Sequence, residues 1–266
     1  MTRFTREDGF TLTELLLVIA ILGMVAAAIV GVYQISLQTY TRATSLEDAQ
    51  LGARAGLDRM ATELRLIGAY WTGAPGVGNA ITAATTTSVS FMADVNGDTV
   101  NNGAETTVNT NPNSTTVGVS GTATQAANAF NVYSTSALND YLYVANGATR
   151  EVKQIAGLSG TTITLSTALT NSYAAGSVVR SVEIVTYTFN AATSGLTRSV
   201  GGSGADTIVD NVTGLTLTYF DGSNPPVQTS TLSQIREIQI SLTTRGSDGS
   251  LRTMASRVRP RNLSLQ

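Results

Sequence analysis

Carboxylates, hydroxyls and arginines are nearly all this 266-residue chain has for chemistry. It holds no histidine and no cysteine, and Lys153 is its one lysine. Those absences remove Ser-His-Asp and Cys-His catalysis, thiolate metal sites and disulfides. A hydrolase built on a carboxylate pair is the catalytic class left over. The expectation is no enzymatic activity and no required cofactor. Three groups of residues stand out by type and spacing. They are Glu14 at the mouth of an apolar run, the acidic stretch 94–105, and the alternating Arg257, Arg259 and Arg261.

The acidic stretch reads DVNGDTVNNGAE. Asp94, Asp98 and Glu105 are the only charges between Leu66 and Asn139. Asp94, Asn96 and Asp98 alternate, and Glu105 stands twelfth, a pattern that resembles an EF-hand-type calcium loop. Oxygen ligands two residues apart can converge on a hard cation, so Ca2+ is the candidate ion. Thr99 stands where the sharp-turn glycine belongs, and no flanking helices are expected. The alternative is a solvated Asn/Asp/Gly turn. The arginine triplet, on one face of a strand, fits either an anionic contact or a charged strand edge. The edge, guarded by Pro260, is the favoured reading. Net charge is −2, so no nucleic-acid partner is expected.

Glu14 poses a sharper question. Leu15 to Val32 carries no polar side chain, and no charge follows until Arg42. As a helix, Leu15 to Thr41 would be ~40 Å long, enough to span a bilayer. A charge near such a segment costs about 2.5–3.5 kcal/mol on insertion scales. Thr11-Leu12-Thr13-Glu14 also fits a capping box, which would give Glu14 a purely local role.

Several elements must position these groups. The apolar run is longer than a signal-peptide core, and helical patterning continues beyond it. Leu46, Ala49, Ala53, Leu57, Met60, Leu64 and Ile67 recur at three- and four-residue steps. Arg54–Asp58 and Arg59–Glu63 are i,i+4 pairs expected on the outer surface. No proline precedes Pro75. One helix is therefore expected over 11–67, apolar all round in its first half and amphipathic in its second. Arg3 and Arg6 favour a cytoplasmic N-terminus.

Past Ala69 the period changes to alternation. Strands are expected at 88–92, 130–133, 141–145, 161–165, 178–189, 215–220 and 235–244. Asn146-Gly147, Ser159-Gly160, Ser194-Gly195, Asp221-Gly222 and Asp248-Gly249 separate them as turns, favouring antiparallel pairing. Residues 71–131, rich in Thr, Ala, Asn and Gly, read as an inserted or loop-rich region. The fold class is α+β: a long N-terminal helix packed on an antiparallel β-rich head covering 69–266.

The stretch Gly9-Phe10-Thr11-Leu12-Thr13-Glu14-Leu15 resembles the processing signal of type IV prepilins and pseudopilins. The succession Val185-Thr-Tyr, Gly195-Leu-Thr-Arg198, Arg236–Leu242 and Ser256–Leu263 resembles PilW-type minor pilins. The resemblance implies a leader at 1–9, cleavage between Gly9 and Phe10 by the prepilin peptidase, and N-methylation of Phe10. It implies a pilin-like fold with helix 10–68, about 14–34 of it membrane-spanning before assembly. Glu14 would pair with a neighbouring subunit's terminal amine. The implied function is a minor pilin acting in pilus initiation or at the tip. Implied partners are other minor pilins, the major pilin, the inner-membrane assembly platform and the bilayer. The implied location is the bacterial inner membrane, then a periplasmic or extracellular pilus. Alternatives are a J-type pseudopilin of type II secretion and a pilus-associated adhesin.

Overall fold

The computed structural model describes residues 11–70, 78–95, 104–105, 110–130, 140–201 and 204–263. The long helix α1 runs Leu12–Arg65. No proline interrupts it, and Thr11 caps it in extended backbone geometry. Beyond Leu66 the chain turns away at Gly68, whose φ of 80° favours glycine. The Gly68 N–H then donates to the Met92 carbonyl at 2.8 Å, fastening the helix end to the head.

Two regimes divide α1. Up to Thr44 it is exposed almost throughout, including Leu15, Leu16, Val18, Ile19, Leu22, Ile29 and Ile35. That length stands off the head by ~50 Å at 1.5 Å per residue. From Ser45 the helix buries Ala53, Gly56, Leu57, Met60, Ala61 and Leu64, one stripe at three- and four-residue steps. The expected amphipathic face is therefore present, with Leu46 and Ala49 at its half-buried margin.

The strands follow in chain order. β1 is Ile81–Ala84, β2 Ser88–Ala93, β3 Ala104–Glu105 and β4 Thr116–Gly118, followed by helix α2, Ala123–Phe130. β5 is Asp140–Asn146, β6 Thr149–Ser159, β7 Thr162–Leu165 and β8 Val178–Asn190. β9 is Gly195–Val200, β10 Asp206–Val209, β11 Val212–Phe220, β12 Glu237–Arg245 and β13 Leu251–Val258. The main sheet runs β1-β2-β8-β5-β6-β7-β4, with β3 and β9 also on β8 and β10 on β9. A separate sheet runs β11-β12-β13. Every strand pair among the described residues is antiparallel.

β8 joins two cores. Its Val182, Val185 and Tyr187 share the main core with α1, β1, β2 and the β11-β12-β13 sheet. Its Val179 belongs to a second core with Val117, Phe130, Leu142, Ile163 and Tyr173. The region 71–131 thus holds four strands and a helix within its described part. β1 and β2 build the main core, whereas β4 and α2 build the second.

Two sequence expectations need correction. Phe130 ends α2 rather than starting a strand, and 131–133 lie outside the described residues. The run Ala123–Phe130 sets apolar Ala126 and Phe130 four apart, which is helical spacing that Phe130 alone disguises. Glu63 is not on the outer surface: its side chain is 13% exposed and faces the sheet. Several strands carry no clean alternation. In β6 the buried positions include Glu151, and β13 buries only Val258.

Gly56 lets β10 cross the helix closely. A Cβ on Gly56 would lie 2.3 Å from Val209 Cγ2. Gly56→Val is expected to cost about 1–3 kcal/mol by overpacking, read as a lower thermal midpoint of the full chain in detergent.

Candidate functional site

The helix start is built from Thr11 and Glu14. The Glu14 N–H donates to Thr11 Oγ1 at 3.3 Å, and the Thr11 N–H donates to Glu14 Oε2 at 3.0 Å. This is the reciprocal capping box that the spacing predicts. Thr11 Oγ1 also reaches Oε2 at 2.9 Å. Both bonds to the carboxylate fall on Oε2, and Oε1 has no partner among the described residues. One carboxylate therefore serves the cap with one oxygen and presents the other outward. Gly9 and Phe10, the expected cleavage pair, lie outside the described residues.

Behind Glu14 the helix is long and apolar enough to cross a membrane, with a mean hydropathy of 3.0 over its best window and none of that window buried. An unbroken apolar surface of this size is an interaction surface, covered by lipid or by other helices.

A polar clamp holds the far half of the helix to the head. Glu63 Oε2 accepts from Tyr187 Oη at 2.7 Å and from Arg198 Nε at 2.8 Å. Arg59 Nε lies 3.5 Å from Oε1. Tyr187 comes from β8 and Arg198 from β9, which are paired at those two positions. Burial works against the Arg198 charge, but Glu63 more than offsets it and holds the guanidinium above its ordinary value. Burial, then the Glu63 charge, pushes the Tyr187 hydroxyl up, so it stays a donor.

Of three further buried glutamates, Glu151, Glu183 and Glu237, the first and last carry ion pairs. Glu151 accepts from the Thr170 and Asn171 N–H groups and pairs with Lys153 at 3.3 Å. Burial pushes its carboxyl up, and these donors more than offset that, leaving it below the usual value. Stability from Glu151 is therefore present above its unfolded value of about 4.3 and lost as pH falls through the lower folded value. Below about pH 4 the thermal midpoint of the wild-type chain is expected to fall more steeply than that of Glu151→Gln.

Glu237, 3% exposed, binds two of the three C-terminal arginines. Arg259 Nε donates to its Oε2. Arg257 Nε lies 2.7 Å from Oε1 as an ion pair without hydrogen-bond alignment. Arg257 also lies over the Phe220 ring at 4.7 Å. β13 ends at Val258, so the triplet does not share one strand face. The edge reading foresaw the exposed charge but not the carboxylate beneath it.

Of the calcium candidates, Asp94 follows β2 and Glu105 lies in β3, and both strands hang on β8. Asn96 and Asp98 lie outside the described residues. Among the described residues no three carboxylates gather as a metal site.

Residue types alone concealed the buried glutamates. Glu63 at i+4 from Arg59 looks like any surface pair, and the faint signal was its place beside Met60 and Leu64 on the buried stripe. Comparison with known proteins bears on the N-terminus. No curated protein and no solved structure matches the chain. Residues 5–30 match the prokaryotic N-terminal methylation motif, the prepilin signal of type IV pilins. With the apolar helix that follows, the motif makes the chain similar to type IV pilins and pseudopilins, and the helix fits membrane anchoring.

Proposed function

We propose that this chain, bearing the prepilin signal, is a non-enzymatic minor pilin of a type IV pilus. The observation that carries the reading is the methylation motif, continuous with a capped, fully exposed apolar helix whose far half is locked into a β-rich head. The peptidase cuts between Gly9 and Phe10, and Phe10 is N-methylated. The helix spans the inner membrane with its N-terminus cytoplasmic, then leaves the lipid to pack among the helices of other pilins.

The physics of Glu14 supports this assignment. A carboxylate entering an apolar bundle needs a cation. The amine created at Phe10 is positive at neutral pH, with an ordinary value of about 7.7–8.0. An incoming subunit's amine meeting Oε1 of a neighbour's Glu14 satisfies both charges and fixes one axial register. The major pilin, other minor pilins and the assembly platform are the partners on this reading. A calcium ion held by Asp94, Asn96, Asp98 and Glu105 is a separate proposal, which isothermal titration with Ca2+ decides.

A strain deleted for this chain tests the role. Surface fibres are expected to fall away and to return on complementation, with the chain far below the major subunit in sheared fibres by quantitative mass spectrometry. Unchanged fibres with loss of a secreted exoprotein would point instead to a secretion pseudopilus. Unchanged fibres that no longer attach to surfaces would point to an adhesin.

A further inference from the structure

Beside the C-terminal end of α1 the head carries a cleft of about 750 Å3. Its wall combines Arg236, Arg259 and Arg261 with Asp221, Ser223 and Asn224. Its position follows from the chain's last turns. The Arg261 N–H donates to the Arg65 carbonyl at 3.2 Å, and the Asn262 amide reaches the Leu66 and Ile67 carbonyls. The cleft therefore sits where α1 ends.

The arginines are held in place. Arg236 Nη1 donates to the Ser233 and Ile235 carbonyls at 2.8 and 2.9 Å, and its Nε and Nη2 have no partner among the described residues. Arg259 is anchored through Nε to the buried Glu237 while its side chain stays 73% exposed. Burying a carboxylate costs several kcal/mol unless it is paired. A merely solvated edge needs no such carboxylate, whereas fixing two exposed guanidinium groups side by side does. Among the described residues, and with Arg257, four arginines meet two side-chain carboxylates here, Asp221 and Glu237, in a chain of net charge −2.

The wall also disfavours one ligand class. A phosphate backbone is a row of anionic acceptors that the Asp221 carboxylate repels, and its affinity grows with the number of phosphates neutralised. Here Asp221, Ser223 and Asn224 put acceptors among the donors, and the half-buried Pro226 adds apolar surface, with the exposed Val227 next to it in the chain. A peptide offers carboxylates, N–H donors and apolar atoms together, and arginine is enriched where proteins recognise one another.

We propose that this cleft receives an acidic peptide segment of another filament subunit. The peptide's carboxylates lie on Arg236, Arg259 and Arg261, and its N–H groups lie on the acceptors of the 221–224 loop. The identity of the partner as a filament subunit rests on the pilin reading; the preference for an acidic peptide does not.

The test uses the full chain in detergent micelles and a fluorescein-labelled peptide of alternating Asp and Glu, followed by anisotropy at low salt. A single-stranded oligonucleotide of equal charge and an Asn/Gln peptide are the comparators. The acidic peptide is expected to bind, and Arg236→Gln with Arg261→Gln to weaken it at least about tenfold in a variant whose circular dichroism spectrum shows it folded. Arg259 is left intact because it neutralises Glu237. Equal binding by wild type and double variant, or tighter binding of the oligonucleotide, would overturn the proposal. In cells, Val227→Cys supplies the chain's sole thiol for a photo-crosslinker in sheared fibres. An adduct to an acidic segment of another pilin is expected. Fibres that contain the chain without such an adduct refute the cleft's role. Absence of the chain from fibres refutes the pilin reading, and the peptide assay still judges the cleft.

Discussion

Glu14→Gln is expected to lower the amount of this chain in sheared fibres at least about tenfold, while its amount in the membrane is unchanged. The geometry separates two roles of the side chain. The cap uses Oε2 alone, and a glutamine carbonyl oxygen can accept the same Thr11 N–H. What glutamine lacks is the negative charge on the outward side. The loss of assembly would then come from an unpaired incoming amine rather than from a frayed helix. Circular dichroism of the purified chain, unchanged between wild type and variant, confirms that the cap survives. Glu14→Ala removes both roles and should reduce helicity only near the terminus, because capping contributes about 0.5–2 kcal/mol. Wild-type fibre content for Glu14→Gln would show that the cap is the residue's whole purpose.

The second large effect lies at the other end of the helix. Glu63→Ala is expected to destabilise the head by about 3–5 kcal/mol, the usual cost of breaking a buried ion pair from one side. It strands the Arg198 guanidinium, whose side chain is 10% exposed, and the hydroxyl of the fully buried Tyr187. Glu63→Gln keeps an acceptor for Tyr187 and should cost less. Glu63→Leu combined with Arg198→Met should recover most of the loss, because removing both charges also removes the desolvation they cause. Thermal melts of the four proteins in one detergent give the comparison. A double variant no better than Glu63→Ala would mean that Glu63 acts through packing rather than charge.

These two glutamates mark where the sequence could and could not be read. Glu14 was legible because it breaks an apolar run at a fixed distance from Gly9 and sits three residues after Thr11. The helix was legible because nothing breaks its period before Gly68. In the sheets, alternation exposed β11 and β12, where Leu215, Leu217 and Tyr219 or Ile238, Ile240 and Leu242 turn to one core. β6 and β9 were hidden because buried glutamate, threonine and glycine stand at positions where alternation expects large apolar residues. Glu151 is buried only because Thr170 and Asn171 arrive from a loop far along the chain to satisfy it. No local pattern encodes such a partner. The same holds for Glu237, whose arginines are separated from it by a whole strand and turn. The division of the head into two cores followed the length of β8, which serves both. A single continuous strand in the sequence gives no sign that its two ends face different interiors.

The central claim is that a processed N-terminus and Glu14 together carry this chain into a filament. Mass spectrometry of the N-terminal peptide from sheared extracellular fibres addresses it most directly. The account predicts a peptide that starts at Phe10, bears one methyl group on its amine and is recovered from the fibre fraction. A chain that keeps Met1 to Gly9, stays with the membrane and is missing from the fibres would contradict it.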